Sequence, residues 1–326
     1  MLKNIPLYIK TSGAFLLAGL LLYADIKYFL STEQRNLLAS VSLQNHLLSI
    51  LLVIPTYLLG GIELRLLYSR ISKIKLSVYD TITLPFVINL WGFIIPQGSF
   101  FYTITYIFSK YKKSVSESIK VYLISFSISM SITGLTGILY CMFSGHDVAV
   151  LFIAVCSLLL LNPVLLALLT KLAETYKAKS SKWLKLILEK VSQILHGKID
   201  KQLIICLVLL KMANVILTGL WCYWITFVLK IPLTFIQLIL IALLMNLTAL
   251  IKITPGNLGL SQFASGGIVL LVGGSVNDGF LLSSFQYLTI IILAIILGGF
   301  FSFLNRGFFS WRELKSIVVK KKNIVN

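Results

Sequence analysis

Charge is what this chain has least of. Only 12% of its 326 residues are Asp, Glu, Lys or Arg, against 58% apolar residues, and 11 of the charged ones are acidic. A soluble fold of this length needs far more polar surface, so a globular soluble architecture is excluded. Histidine is rarer still: His46, His146 and His196 are scattered at loops or helix ends without metal-ligand spacing. Cys141, Cys156, Cys206 and Cys222 lie inside apolar runs with no close pairing, which argues against a zinc site or a disulfide framework and makes them packing residues. No Ser/His/Asp or Cys/His set and no glycine-rich nucleotide loop stands out. Neither a cofactor nor a metal is therefore expected, and no catalytic residue is assigned.

What the chain has is long apolar sequence. Six runs are long enough to cross ~30 Å of hydrocarbon: Ile9 to Phe29, Leu43 to Ile62, Ile119 to Phe143, Val148 to Leu169, Leu203 to Leu229 and Leu281 to Asn305. Lys3 and Lys10 precede the first run, but no small-x-small cleavage site follows and Asp25 and Lys27 close it, so it reads as a span rather than a removed leader. The net charge of +18 sits between the apolar runs: most basic residues fall at the N-terminus, Arg65 to Lys75, Lys110 to Lys120, Lys171 to Lys201, and Arg306 onward. That placement speaks against a nucleic-acid partner. It makes those segments cytoplasmic and attractive to anionic lipid headgroups, by about 1 kcal/mol per basic residue near the surface. The expectation is an all-α integral membrane protein, a polytopic helical bundle of residues 1–326 in the cytoplasmic (inner) membrane. Both termini would face the cytoplasm, and a homo-oligomer is left open.

Two further apolar stretches are interrupted near their middles. Asp80 to Ser109 breaks at Ile95-Pro96-Gln97-Gly98, and Leu233 to Gly273 breaks at Thr254-Pro255-Gly256-Asn257-Leu258-Gly259. Basic segments flank the first on both sides, so it should enter from the cytoplasm and return there. The second should have both ends external. Helix, broken hairpin, helix would then occur twice in opposite orientation, as inverted repeats over about 43–143 and 202–305 with re-entrant hairpins. Asn89-Leu90 before Pro96 and Asn246-Leu247 before Pro255 give a faint echo between the halves, as do Phe100 and Phe263 after them. The alternative is eight full crossings, with Lys252 marking a cytoplasmic loop. Between the halves, residues 174–200 put Trp183, Leu184, Ile187, Leu188, Val191, Ile194 and Leu195 on one helical face, which suits an interfacial cytoplasmic helix as well as a solvated linker. The basic tail spans 306–326.

Backbone groups freed at a helix break must be buried in protein or line a polar cavity. Helix N-termini after Pro96 and Pro255 offer N–H groups and a positive dipole end to a phosphate or carboxylate. Candidate substrate contacts cluster there: Asn89, Gln97, Ser99, Asn246, Lys252, Asn257 and Gln262, with Thr254 and Ser261 nearby. The plainer role for any one of them is mutual satisfaction across packed hairpins. Glu63, Arg65 and Lys211 are costly in hydrocarbon unless paired, hydrated or snorkelled. Glu63 and Arg65 read as the cytoplasmic end of their helix. Lys211 lies about nine residues into its own, roughly 13 Å deep, where either a pairing role or strained snorkelling is open.

The run Ile253-Thr254-Pro255-Gly256-Asn257-Leu258-Gly259-Leu260-Ser261-Gln262-Phe263-Ala264, followed by Leu270-Leu271-Val272-Gly273, resembles the second signature of the lysylphosphatidylglycerol synthase transmembrane family. Members usually read Pro-Gly-Gly-Leu-Gly followed shortly by Glu-Ala. The first signature, typically Pro-Gly-Arg-Leu-Gly-Glu, corresponds to Pro96 through Phe101, with Arg65 and Tyr68 resembling the end of the preceding helix. Gln97, Gly98 and Ser99 stand where Gly-Arg-Leu is usual, no Glu follows, and Gln262 sits near the expected second Glu. The resemblance implies movement or handling of polar-headed lipids between leaflets, in a stand-alone form without an aminoacyltransferase domain. On that reading, replacing Lys252 or Gln262 is expected to abolish lipid transfer. Two other classes remain: a transferase acting on lipid-linked sugar, which needs Asp25 or Glu33 of the first external loop, and an ion-coupled solute transporter using Lys211, for which no paired acid is visible.

Overall fold

The computed structural model describes residues 23, 32–95, 97–144, 201–248, 255–257 and 259–304. The expected spans 9–29 (residue 23 apart) and 148–169, the amphipathic segment 174–200, the tail 306–326, Asp25 and Lys252 lie outside the described residues.

Every regular element among the described residues is helical. In chain order they are α1 (Thr32–Ser40), α2 (Leu43–Ile71), α3 (Val78–Ile94), α4 (Gly98–Tyr111), α5 (Val115–Ser144), α6 (Lys201–Leu229), α7 (Phe235–Thr248), a 3-10 turn (Pro255–Asn257), α8 (Leu260–Leu271) and α9 (Val276–Leu293). A π turn, Ala294–Gly298, carries α9 on into α10 (Gly299–Leu304). Four helices are long and apolar enough to cross a bilayer: Leu43–Ile71, Val115–Ile138, Lys201–Leu229 and Val276–Leu304. The chain is thus an all-α, multi-pass membrane protein. Its outer faces suit lipid, since Phe227 and Ile236 are 69% and 67% exposed.

Local chemistry moves two boundaries from their hydropathy limits. The α9 helix begins at Val276 rather than Leu281, because Ser275 and Asp278 form a reciprocal cap before the apolar run starts. The α2 helix continues past Ile62 to Ile71, since Glu63 and Arg65 lower hydropathy without breaking the backbone pattern. Glu63 therefore lies inside the helix and not at its end, a correction to the sequence reading.

The order long, short, short, long occurs twice: α2 to α5, and α6 to α9. The leading helices of the two halves run antiparallel. Arg70 Nη2 donates to Gln202 Oε1 at 3.5 Å, Lys211 Nζ pairs with Glu63 Oε2 at 2.8 Å, Asn214 Nδ2 donates to the Thr56 carbonyl at 3.0 Å, and Trp221 Nε1 donates to Ser49 Oγ at 2.7 Å. Packing follows the same exchange of halves. As α2 packs on α3 and α5, so α6 packs on α7 and α9; as α5 packs on α7, so α9 with its π turn packs on α3.

Each pair of short helices is a hairpin fastened at its open end. In the first, Asp80 at the start of α3 accepts from Tyr106 Oη at 2.5 Å, from Lys110 Nζ at 2.6 Å and from the Tyr111 hydroxyl, all near the end of α4. In the second, Gln237 Nε2 near the start of α7 donates to the Val272 carbonyl after α8 at 2.6 Å. The first base lies at the Arg70 end of α2, and the second follows the opposite end of α6, so the hairpins open at opposite ends. Their closed tips approach one another. Gly256 has φ +60°, and a Cβ there would stand 2.2 Å from the Phe93 ring and 2.3 Å from the Tyr287 hydroxyl, while those two rings meet edge to face at 5.3 Å. Only glycine fits that contact.

Close backbone approach also joins α2 to α3. Pro85 leaves the Thr81 carbonyl without its helical donor, and Gly61 fills the space so closely that a Cβ would lie 1.9 Å from that oxygen. Small residues at such crossings replace hydrophobic driving force by contact. Gly61→Ala is expected to lower stability by about 1–3 kcal/mol through overpacking. Unfolding in mixed SDS and maltoside micelles reads this, and a wild-type midpoint would contradict it.

Candidate functional site

The first break is built by a change of backbone direction. The Ile95 amide closes α3 on the Trp91 carbonyl, Gln97 adopts φ +60°, and α4 starts at Gly98 with the amides of Phe100 and Phe101 on the Gln97 carbonyl. The Gln97 side chain does not cap the helix. It lines a cavity of about 250 Å³ between α2, α3, α4 and α5, whose polar wall also includes Glu63, Tyr68, Ser99, Thr103 and Ser125. A more open groove of about 380 Å³ lies beside it, with Thr56, Tyr57, Asn89 and Trp221 on its wall. Gly60, Leu64, Ile88 and Ser99 border both spaces. A Cβ on Gly60 would meet nothing within 4 Å.

The charged element of this site is one ion pair. Glu63 is 8% exposed; its Oε2 pairs with Lys211 Nζ at 2.8 Å, and its Oε1 accepts from the Ser125 hydroxyl. Three helices, α2, α5 and α6, thus meet at one carboxylate, and α6 belongs to the other half. At 1.5 Å per residue Lys211 is about 15 Å from the start of α6, near the middle of the apolar layer. Either charge alone at that depth costs several kcal/mol, while the pair is neutral. That settles the choice for Lys211 between snorkelling and pairing in favour of pairing.

The structure sorts the sequence candidates. Gln97, Ser99 and Asn89 come together around the two spaces, and Lys211 reaches them through Glu63. Arg65 lies apart on the exposed side of α2. In the second break Asn257 is 7% exposed with φ +65°, and its carbonyl accepts from Ser261 Oγ at 2.7 Å. Gln262 is fully buried, and its Oε1 caps α8 by accepting the Gly259 amide at 2.8 Å. Neither residue lines the two spaces. Asn246 lies in α7, but its side chain is outside the described residues, as is Lys252. Glu33 falls in the first turn of α1. Among the described residues, no group of three His, Cys, Asp or Glu is placed to hold a metal.

Sequence reasoning missed Ser125, and it weighed Glu63 and Lys211 separately. The available signal was that each is a lone charge of opposite sign inside an apolar helix, which calls for a partner.

A family model described as the lysylphosphatidylglycerol synthase TM region matches residues 12–298. It represents a membrane domain linked to lipid handling. No curated protein and no solved structure matches the chain.

Proposed function

We propose, starting from the fact that this chain belongs to the lysylphosphatidylglycerol synthase transmembrane family, that it moves a polar-headed lipid, a phospholipid or a polyprenyl-phosphate intermediate, between leaflets of the cytoplasmic membrane. The observation that carries this reading is the Glu63–Lys211 pair, buried between the halves and bordering a polar cavity in an otherwise apolar molecule. Lys211, held at that depth behind the Glu63 carboxylate, would offer its charge to a phosphate entering the cavity, whose wall carries the hydroxyls of Ser99, Thr103 and Ser125 and the amide of Gln97. The acyl chains would remain in the lipid along the exposed apolar faces.

The antiparallel α2 and α6 and the oppositely opening hairpins support inverted repeats with re-entrant hairpins, the arrangement in which one half rocks against the other around a central site. Rocking of one half against the other would bring the second break, with Asn246, Lys252, Asn257 and Gln262, toward that site, although Asn257 and Gln262 line neither space in this structure. Basic residues of the first hairpin base, Lys73, Lys75, Lys112 and Lys113, would gather anionic headgroups at the cytoplasmic rim; the chain would carry both termini on that side and needs no nucleic-acid partner.

The test is transfer of fluorescent phosphatidylglycerol in proteoliposomes, read by dithionite quenching. Wild-type protein should equilibrate the probe across the bilayer, and protein-free vesicles should not. Gly60→Phe places a ring in the shared wall of both spaces, where a Cβ meets nothing. It is expected to slow transfer several-fold while leaving the unfolding midpoint unchanged; full transfer in this variant would remove the cavity from the path.

A further inference from the structure

We propose that Glu63 is a proton-binding site, and that one proton accompanies each monoanionic phosphate headgroup through the protein. The inference rests on the lipid-transfer reading above and adds its driving ion. An acid partner for Lys211 is not visible along the sequence; the fold supplies one from the other half.

The argument is one of charge balance. If the halves move relative to one another, the pair that bridges them must separate, and separation at mid-membrane depth leaves two unpaired charges. Lys211 has a replacement partner in the phosphate. Glu63 has none. The groups facing it are Lys211 from α6, Ser125 and Tyr122 from α5, and Tyr68 from its own helix; the α3 and α4 walls contribute Ile88, Gln97, Ser99, Phe100, Thr103 and Ile104, none of which is a cation. A proton would neutralise it, and the cavity bordering Glu63 gives water a route to it. Neither side chain is sealed, at 11% exposed for Glu63 and 21% for Lys211.

The exchange balances. A proton delivered as hydronium through the cavity from the acidic side binds the carboxylate oxygen that Lys211 leaves, releasing water, and the ammonium passes to the phosphate oxygen. Before loading, the site holds Glu63 carboxylate and Lys211 ammonium; after loading, it holds a neutral Glu63 carboxyl, the ammonium and the phosphate. Both states have zero net charge. The loaded site therefore crosses without moving charge against the membrane potential, and lipid flux follows the pH gradient toward the alkaline side.

The experiment uses the full chain in phosphatidylcholine vesicles containing a trace of fluorescent phosphatidylglycerol. An imposed pH gradient should accelerate transfer toward the alkaline compartment several-fold in wild type, and a potassium–valinomycin potential should leave the rate unchanged. In Glu63→Gln the ratio of rates with and without the gradient should fall to one. Infrared difference spectra at neutral pH, phosphatidylglycerol-bound minus lipid-free wild type in detergent, should show a deuterium-sensitive buried carboxyl stretch that Glu63→Gln lacks. If wild type transfers the probe with no response to the gradient, or Glu63→Gln keeps the response, or the carboxyl band persists in the variant, proton binding at Glu63 is overturned while lipid transfer stands. If wild type moves no probe under any condition, the transfer reading fails, and this inference with it. The wild-type gradient response and infrared band need no variant to fold.

Discussion

Replacing Lys211 with methionine should destabilise the protein by about 3–5 kcal/mol, the cost of leaving one partner of a buried pair unmatched, and should abolish lipid transfer. The cause of the first effect is Glu63, which stays 8% exposed on α2 with, among the described residues, only the Ser125 hydroxyl to offset its charge. Adding Glu63→Gln removes that charge too. Because neutral replacement of a buried pair is often close to neutral in stability, Glu63→Gln with Lys211→Met should recover most of the lost stability and none of the transfer. The double variant thereby separates the two roles of the pair. Unfolding in mixed micelles and the dithionite assay read them independently, and a Lys211→Met midpoint within about 0.5 kcal/mol of wild type, the range of a surface change, would mean the pair is not buried as described.

Asp80→Ala should be similarly damaging, at about 3 kcal/mol or more, but for a different part of the molecule. Asp80 has no exposed side-chain surface, and it accepts from Tyr106, Lys110 and Tyr111 at once, while the Lys110 ammonium also lies 5.3 Å from the Tyr106 ring centre and 5.7 Å from that of Tyr111. Without the carboxylate, two hydroxyls and an ammonium lose an acceptor that ties α3 to α4 at their open end. Lys110 is 24% exposed and can turn to water, which keeps the cost at the lower end of the range for a broken buried pair. The expected signature is local: trypsin should cut faster at Lys112 and Lys113, while hydrogen exchange in α6 and α9 stays at its wild-type level. Asp80→Asn retains an acceptor but not the charge, and should lie between wild type and Asp80→Ala. Uniformly faster exchange throughout the bundle would show that Asp80 supports the whole fold rather than the hairpin.

The membrane class, the positions of the long helices and the two breaks were legible in the sequence, because each depends on neighbouring residues. Twenty or so apolar residues select a bilayer whatever they pack against, and Pro96-Gln97-Gly98 and Pro255-Gly256 interrupt a helix locally. The family was legible for the same reason: its signatures are those breaks. Even there, purely local cues shifted what hydropathy implied, as when Ser275 and Asp278 set the start of α9 ahead of Leu281.

The site was legible only in part. Asn89, Gln97, Ser99 and Lys211 were visible as polar groups that apolar surroundings must satisfy, yet nothing local distinguishes them from Arg65, which the fold leaves exposed, or from Gln262, which it uses as a cap. Which charge meets which is decided by helix packing, and here by glycines such as Gly61 and Gly256 that let backbones approach closely. From sequence alone, Glu63 and Lys211 are charges that hydrocarbon tolerates only if paired, hydrated or snorkelled, with Glu63 read as a helix end and Lys211 open between pairing and snorkelling. Only the tertiary structure decided that they are each other's partners, because antiparallel packing of α2 on α6 sets two distant residues at the same depth.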